Sequence, residues 1–125
     1  MQFAVTIGKT KQKGRGVFAT KNFKTGEIIE ACPIIKLSTR QRLHGEKTAL
    51  AYYMYPWKSE RDAAVVLGYG SIYNHSHAPN AEWKPNFKTT HMVYVAAQPI
   101  KKGEEITVNY NGNGETTQLD WFEVK

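Results

Sequence analysis

Apolar and β-branched residues gather along this chain in short runs bounded by Gly, Pro or Asn: "FAVTI", "GVFA", "EIIEACPIIKL", "AAVVLGYG", "HMVYVAA" and "EITVNY". Runs of that length and composition predict strands rather than helices. Helical turns are expected only in "STRQRLHGE", where Ser38 stands as an N-cap, and in "LGYGSIYNH". Pro33, inside the longest run, has no N–H to give a ladder and predicts an edge position or a bulge. The pattern reads as a mainly β protein with small helical pieces.

The pattern also echoes itself. "VFATKNFKTGEII" (17–29) and "YVAAQPIKKGEEI" (94–106) align without gaps at an offset of 77 residues. In each, a strand enters a turn whose glycine, Gly26 or Gly103, can take positive φ, and a second strand leaves it. Two such units bracket a middle segment, which is not the sustained period of a solenoid.

A length of 125 residues predicts one domain, 1–125, that buries a core without staples. The apolar content of 41% and charged content of 22% are those of a folded chain. Neither a membrane span nor a secretory leader is expected from the apolar runs. A single cysteine, Cys32, excludes an internal disulfide and an all-cysteine zinc site. The net charge of +6 is uneven: residues 1–62 hold twelve Lys/Arg against five Asp/Glu, residues 63–125 five against six. The basic half, densest in "KTKQKGRG" (9–16), is the expected face for a nucleic acid or its protein companions.

Three motifs carry chemistry. "KGRGVFA" offers two glycines, Gly14 and Gly16, that let a backbone pass close to a ligand, though it is neither a dinucleotide fingerprint nor a P-loop. "NHSHAPN" (74–80) reads as half a metal site or as a polar turn; His44 and His91 lie in no ligand-like motif, so the turn is preferred. "GEEITVNY" (103–110) is a strand that delivers Tyr110 to its end.

In this order and spacing, with "YYMYPW" before and "DWF" after, the motifs resemble the SET-domain family of protein-lysine methyltransferases. "NHSHAPN" is close to the family's Asn-His-Ser-x-x-Pro-Asn and "GEEITVNY" to its Gly-Glu-Glu-(Ile/Leu)-Thr-x-x-Tyr. The likeness runs from Lys9 to Phe122, and the length is most like the minimal SET proteins of viruses and bacteria. It implies a β-clip-like fold of several small sheets with short helical turns, a knot-like C-terminal segment and a closing stretch at 111–125. It implies that S-adenosylmethionine lies against Gly14, Arg15, Gly16, Asn74 and His75, with Trp121 or Phe122 closing the pocket. Asn74 would hold the methionyl amine and the His75 backbone would meet the adenine. Tyr110 would be the catalytic tyrosine, and Tyr53, Tyr69, Val108 and Phe122 the lysine channel. Val108, two residues before Tyr110, stands where the family sets how many methyl groups are added. Zinc is not expected, since His77 replaces the cysteine many members carry there, and Asn109 stands where they often have an acid.

The implied partners are a lysine-bearing protein or peptide, a nucleic acid reached through that substrate or the basic face, and, as in small viral members, a second copy in a homodimer. A prokaryotic source implies the cytoplasm, a viral one the host nucleus. A basic binding module of the same fold without activity is the reading from a different class.

Overall fold

The computed structural model describes residues 4–59 and 61–111. Among these described residues nine strands form two sheets. In chain order they are β1 (Val5–Lys9), β2 (Arg15–Ala19), β3 (Ile28–Leu37), β4 (Met54–Pro56), β5 (Ala63–Val66), β6 (Asn74–His75), β7 (Ala81–Asn86), β8 (His91–Ala96) and β9 (Glu105–Val108). One sheet runs β1-β2-β9-β6 and the other β4-β5-β3-β8-β7. All neighbours are antiparallel except β6 and β9, where Asn74 lies beside Thr107 and His75 beside Val108 in parallel register. The mainly β reading and every strand expected from an apolar run are present. Strands β4, β6 and β7 were not legible as separate runs: β4 is three residues ending at Pro56, β6 is two polar residues, and Pro85 with its polar neighbours breaks the apolar pattern of β7.

Helix α1 (Thr39–Gly45) begins where Ser38 predicted. The Gln41 N–H donates to Ser38 Oγ at 3.3 Å and the Ser38 N–H to Gln41 Oε1 at 2.9 Å, a reciprocal cap that satisfies two donors a helix start leaves open. A 3-10 turn at Ala49–Tyr52 follows. "LGYGSIYNH" forms no helix. Its 67–72 part closes as single turns, with the Gly70 N–H on Leu67 O at 3.2 Å and the Ile72 N–H on Tyr69 O at 2.9 Å. Glycine lowers the helical propensity there, and Ser71 ties its hydroxyl to the main chain of Tyr53 and Val66.

Pro33 sits neither on an edge strand nor at a bulge. Strand β3 pairs with β8 through residues 28–33 and with β5 through residues 34–37, and its register shift lies between Ile28 and Glu30. Pro33 marks the change of partner, where a missing N–H interrupts neither ladder.

The sequence echo is a local two-fold in the structure. Gly103 N–H donates to Ala19 O and Gly26 N–H to Ala96 O, both at 2.8 Å. Ala19 N–H donates to Glu104 O and Ala96 N–H to Glu27 O, both at 2.9 Å, and Phe23 and Ile100 exchange bonds of 2.8 and 3.0 Å. Each acid caps its own turn, Glu27 accepting from the Lys24 N–H and Glu104 from the Lys101 N–H. The two units therefore pair with each other, and the core (Val17, Phe23, Tyr94, Ile100, Ile106) is packed around that pairing. This holds β9, and hence Tyr110 just beyond it, against β2.

Candidate active site

The two glycines of "KGRG" do different work. Gly14 has φ +72° and open space where a side chain would stand, so its backbone conformation is what favours glycine. A Cβ on Gly16 would lie 2.5 Å from Glu105 Oε2 and 3.0 Å from Asn74 Nδ2. Only a bare Cα lets β2 pass that close to β6 and β9. Thr10 closes the hairpin between β1 and β2, donating its N–H to Gly14 O at 2.7 Å and accepting the Lys13 N–H at 2.8 Å.

Across that gap Asn74, buried, donates Nδ2–H to Arg15 O and to Glu105 Oε2, each at 2.8 Å. Both amide protons are thereby used on protein partners. The carbonyl oxygen Oδ1 is the atom this side chain has left for a ligand, and it is suited to an ammonium group. Lys13, Arg15, Tyr53, Ile72 and Asn74 line a cleft of about 80 Å³. A cation pair, an amide oxygen and a phenol fit the amino-acid end of S-adenosylmethionine: its carboxylate by Lys13 and Arg15, its amine by Asn74. The cleft is smaller than the roughly 300–1,000 Å³ of a pocket for a whole small molecule. Lys13 Nζ crosses it to the His75 carbonyl, the acceptor implied for the adenine, so the Lys13 side chain must swing aside for the nucleoside end.

His75 is turned inward. Its Nδ1 accepts the Tyr110 N–H at 3.1 Å, which assigns the ring proton to Nε2, and Nε2 is buried without a partner among the described residues. Burial, then the neighbouring His77 ring at 4.5 Å and the Lys13 charge, hold its pKa below the usual histidine value. In "NHSHAPN" the unprotonated ring nitrogen of His75 thus serves as a backbone acceptor. Among the described residues no three His, Cys, Asp or Glu are placed to hold an ion.

Tyr110 is buried at the end of β9, its hydroxyl donating to Tyr73 O at 2.6 Å. Burial, then the nearby Tyr53 phenol and Glu105, push that hydroxyl well above the ordinary phenol range. It is a neutral hydroxyl at physiological pH and cannot serve as a general base; it can orient an amine. Behind it stands a wall of tyrosines. The Tyr73 hydroxyl donates to Glu30 at 2.7 Å, and those of Tyr55 and Tyr94 both donate to Gly70 O, at 3.1 and 3.0 Å. Tyr73 and Tyr94 stack at 4.4 Å.

Of the residues expected in the site, Arg15, Tyr53 and Asn74 line the cleft, Gly16 lies against Asn74, His75 bonds Tyr110 next to it, Gly14 stays in the hairpin turn, and Val108 is fully buried beside His75. Tyr69 is half-buried, packs against the core and does not line the cleft. Trp121 and Phe122 lie outside the described residues. Glu105, Lys13 and Tyr73 were missed. Glu105 shares the half-buried face of β9 with Thr107, opposite the buried Ile106 and Val108, so alternation gave no signal of its bond to Asn74, and nothing in the sequence signals that Lys13 reaches His75.

The depressed pKa of His75 gives a pH dependence. The unfolded chain binds this proton more readily than the folded one, so stability is full above about pH 6.5 and falls as pH drops below it. Urea midpoints should decline between pH 7.5 and 5.5, and His75→Gln should flatten that decline; an equally steep slope in the variant would exclude His75 as its source.

The family described as SET domain matches residues 14–111. A histone-lysine N-methyltransferase of Schizosaccharomyces pombe, specific for H3 lysine-37, is 35% identical over 118 residues, covering 94% of this chain and 76% of that protein. Histone-lysine N-methyltransferase Set8 of Drosophila pseudoobscura pseudoobscura is 31% identical over 120 residues, but the chain spans only 17% of its length. A crystal structure of a candidate histone methyltransferase of Plasmodium falciparum superposes with TM-score 0.70 at 32% identity, covering 88% of this chain and 95% of the other. A Polycomb Repressive Complex 2 structure bound to S-adenosylmethionine shares the fold, with TM-score 0.75 at 21% identity, over 88% of this chain and 15% of that one. With a family match across the cleft and the terminal tyrosine alike, the chain belongs to the SET-domain family of protein-lysine methyltransferases, which use S-adenosylmethionine as methyl donor.

Proposed function

We propose that this chain methylates a lysine on a histone, with the cofactor in the cleft between β2 and β6 and the amine placed by Tyr110. The observation that carries this reading is the Asn74 side chain, fixed by Arg15 and Glu105 so that its oxygen remains for the cofactor's amine. The names of the curated relatives favour a histone as the protein bearing the lysine.

When bound, the cofactor supplies a methyl group on a sulfonium, which a neutral amine attacks in line. A free lysine, with pKa about 10.4, is only on the order of 0.1% neutral near pH 7.4. An aromatic channel formed by Tyr53 beside a cationic cofactor lowers that pKa by desolvation and like-charge repulsion. The Tyr110 hydroxyl, held by Tyr73 O, then orients the amine. Tyr110→Phe is expected to leave calorimetric cofactor affinity within about 3-fold while lowering turnover about 100-fold or more. Asn74→Ala should weaken cofactor binding by roughly 1.5–3 kcal/mol, the value of a hydrogen bond to a charged group. A wild-type chain that shows no heat with the cofactor and transfers no methyl to core histones would instead be a non-catalytic module.

Product state follows from Val108. It is apolar and fully buried, and Tyr94, which could otherwise present a hydroxyl to the amine, commits it to Gly70 O. With no hydrogen bond at Val108 to break, a methylated amine can turn for a second transfer. Di- or trimethyl-lysine is expected on a peptide driven to completion, and Val108→Tyr should shift the product toward monomethyl. Mass spectrometry showing monomethyl-lysine alone from the wild type would remove Val108 from control.

To this reading we add two partners: a second copy of the chain, and the nucleic acid that accompanies a histone, met by the basic face. Light scattering should give the mass of a dimer at micromolar concentration; the mass of one chain would remove that partner.

A further inference from the structure

Before Glu27 the chain holds six cations, Lys9, Lys11, Lys13, Arg15, Lys21 and Lys24, and no carboxylate. Some cations of the molecule meet acids: Lys21, of this set, meets Glu27 at 2.6 Å, Arg42 meets Glu46 at 2.6 Å, and Lys84 lies 3.9 Å from Glu82. Lys9, Lys11 and Arg15 are all exposed and take part in no ion pair among the described residues. They are also set against one another, for the antiparallel register puts Lys9 directly opposite Arg15. Like charges facing across a ladder destabilise it.

The place of this hairpin in the fold matters as much as its charge. Strand β1 is an edge, and β2 is paired to β9 only at Val17 and Phe18, so the stretch from Lys9 to Arg15 reaches beyond the sheet. The ribbon is narrow, two-stranded and basic, with no acid of its own. What relieves its repulsion is a dense, regular array of negative charge. Duplex DNA carries one charge per roughly 1.7 Å of axis, and its major groove is wide enough to admit a two-stranded ribbon.

We propose that the β1–β2 hairpin docks on the phosphate backbone of duplex DNA, with Lys9 and Lys11 as its outward contacts. This rests on the reading of a histone as the substrate, since that protein brings duplex DNA with it. Lys9 and Lys11 lie outside the cofactor cleft, which Lys13 and Arg15 line from the same hairpin. DNA held at the tip therefore lies beside the cofactor face of the enzyme.

The test is fluorescence anisotropy of the full chain with a labelled 30-base-pair duplex across a salt series. Two phosphate contacts predict a slope of log affinity against log salt of about −1.8. Lys9→Ala/Lys11→Ala should reduce the slope by about 1.8 and weaken binding at least about 10-fold near 0.1 M salt. Lys101→Ala/Lys102→Ala removes the same charge from a distant turn and should weaken binding by no more than about 3-fold if placement, rather than net charge, governs it. Equal losses from the two double variants, or none from the first, would overturn the proposal. So would polyglutamate competing as well as DNA of equal charge, which would mark an acidic protein as the partner. Peptide methylation should be unchanged in Lys9→Ala/Lys11→Ala. Absence of peptide methylation in the wild type would fault the enzymatic reading, while the binding series would still decide the DNA contact.

Discussion

Three strands that are far apart in sequence meet at the carboxamide of Asn74. Its two N–H groups are spent on a main-chain oxygen of β2 and a carboxylate of β9, and its own backbone pairs in parallel with Thr107. A buried amide with both donors satisfied has one orientation available to it, because the flipped amide would set its oxygen against Arg15 O and the Glu105 carboxylate. The cleft inherits that orientation. Under the proposed reading an acceptor is already in place for the cofactor's amine and Arg15 for its carboxylate, while Lys13 has first to leave the His75 carbonyl. Gly16 follows from the same constraint, since any larger residue would separate β2 from the carboxylate that fixes the amide.

A second tie joins the same two motifs. His75 gives its ring nitrogen to the backbone of Tyr110, while Asn80, at the end of the same motif, accepts the Thr107 N–H at 2.9 Å and donates to Glu105 O at 2.8 Å. So "NHSHAPN" supplies side-chain partners to the main chain of "GEEITVNY" at both ends. Polar residues are tolerated in this interior because each one replaces a ladder bond that the crossing of two short segments cannot make. Trp83 extends the arrangement by donating its indole N–H to Asn109 O at 2.7 Å, which holds the chain just before Tyr110. The acid that many members of the family carry at that position is not needed for this contact, since the acceptor is a backbone carbonyl.

The strands were legible because their apolar runs are long enough to show a period, and α1 because Ser38 and Gln41 form a local cap. The site was legible only through the order of its motifs. Composition and periodicity left Gly14 and Gly16 as a tight turn and His75 with His77 as a polar loop, and neither reading is false as local structure. What the sequence could not express is contact between segments about thirty and sixty residues apart. The bonds from Asn74 to Glu105 and to Arg15 span 31 and 59 residues, and that from Lys13 to His75 spans 62. The self-pairing of the two echoed units is the exception. There the matched spacing of Ala, Gly and acid in both copies encoded a symmetric set of long-range bonds, and the structure contains them.

The same burial that keeps the Tyr110 phenol protonated bears on how the proposed site would treat a reactive amine. A phenol deprived of water and placed near Glu105 and a second phenol stays protonated, and it spends its proton on the Tyr73 carbonyl. A neutral phenol oxygen still carries partial negative charge. Such an oxygen can accept a hydrogen bond from a lysine amine, and it meets a cationic methyl donor with negative rather than positive charge density. A phenolate would bind an ammonium more tightly and so keep the lysine protonated, which is the wrong state for attack. In the proposed reaction a neutral tyrosine is therefore the useful state, and the wall of Tyr55, Tyr73 and Tyr94, with every hydroxyl engaged, packs behind the Tyr110 ring that would orient the amine.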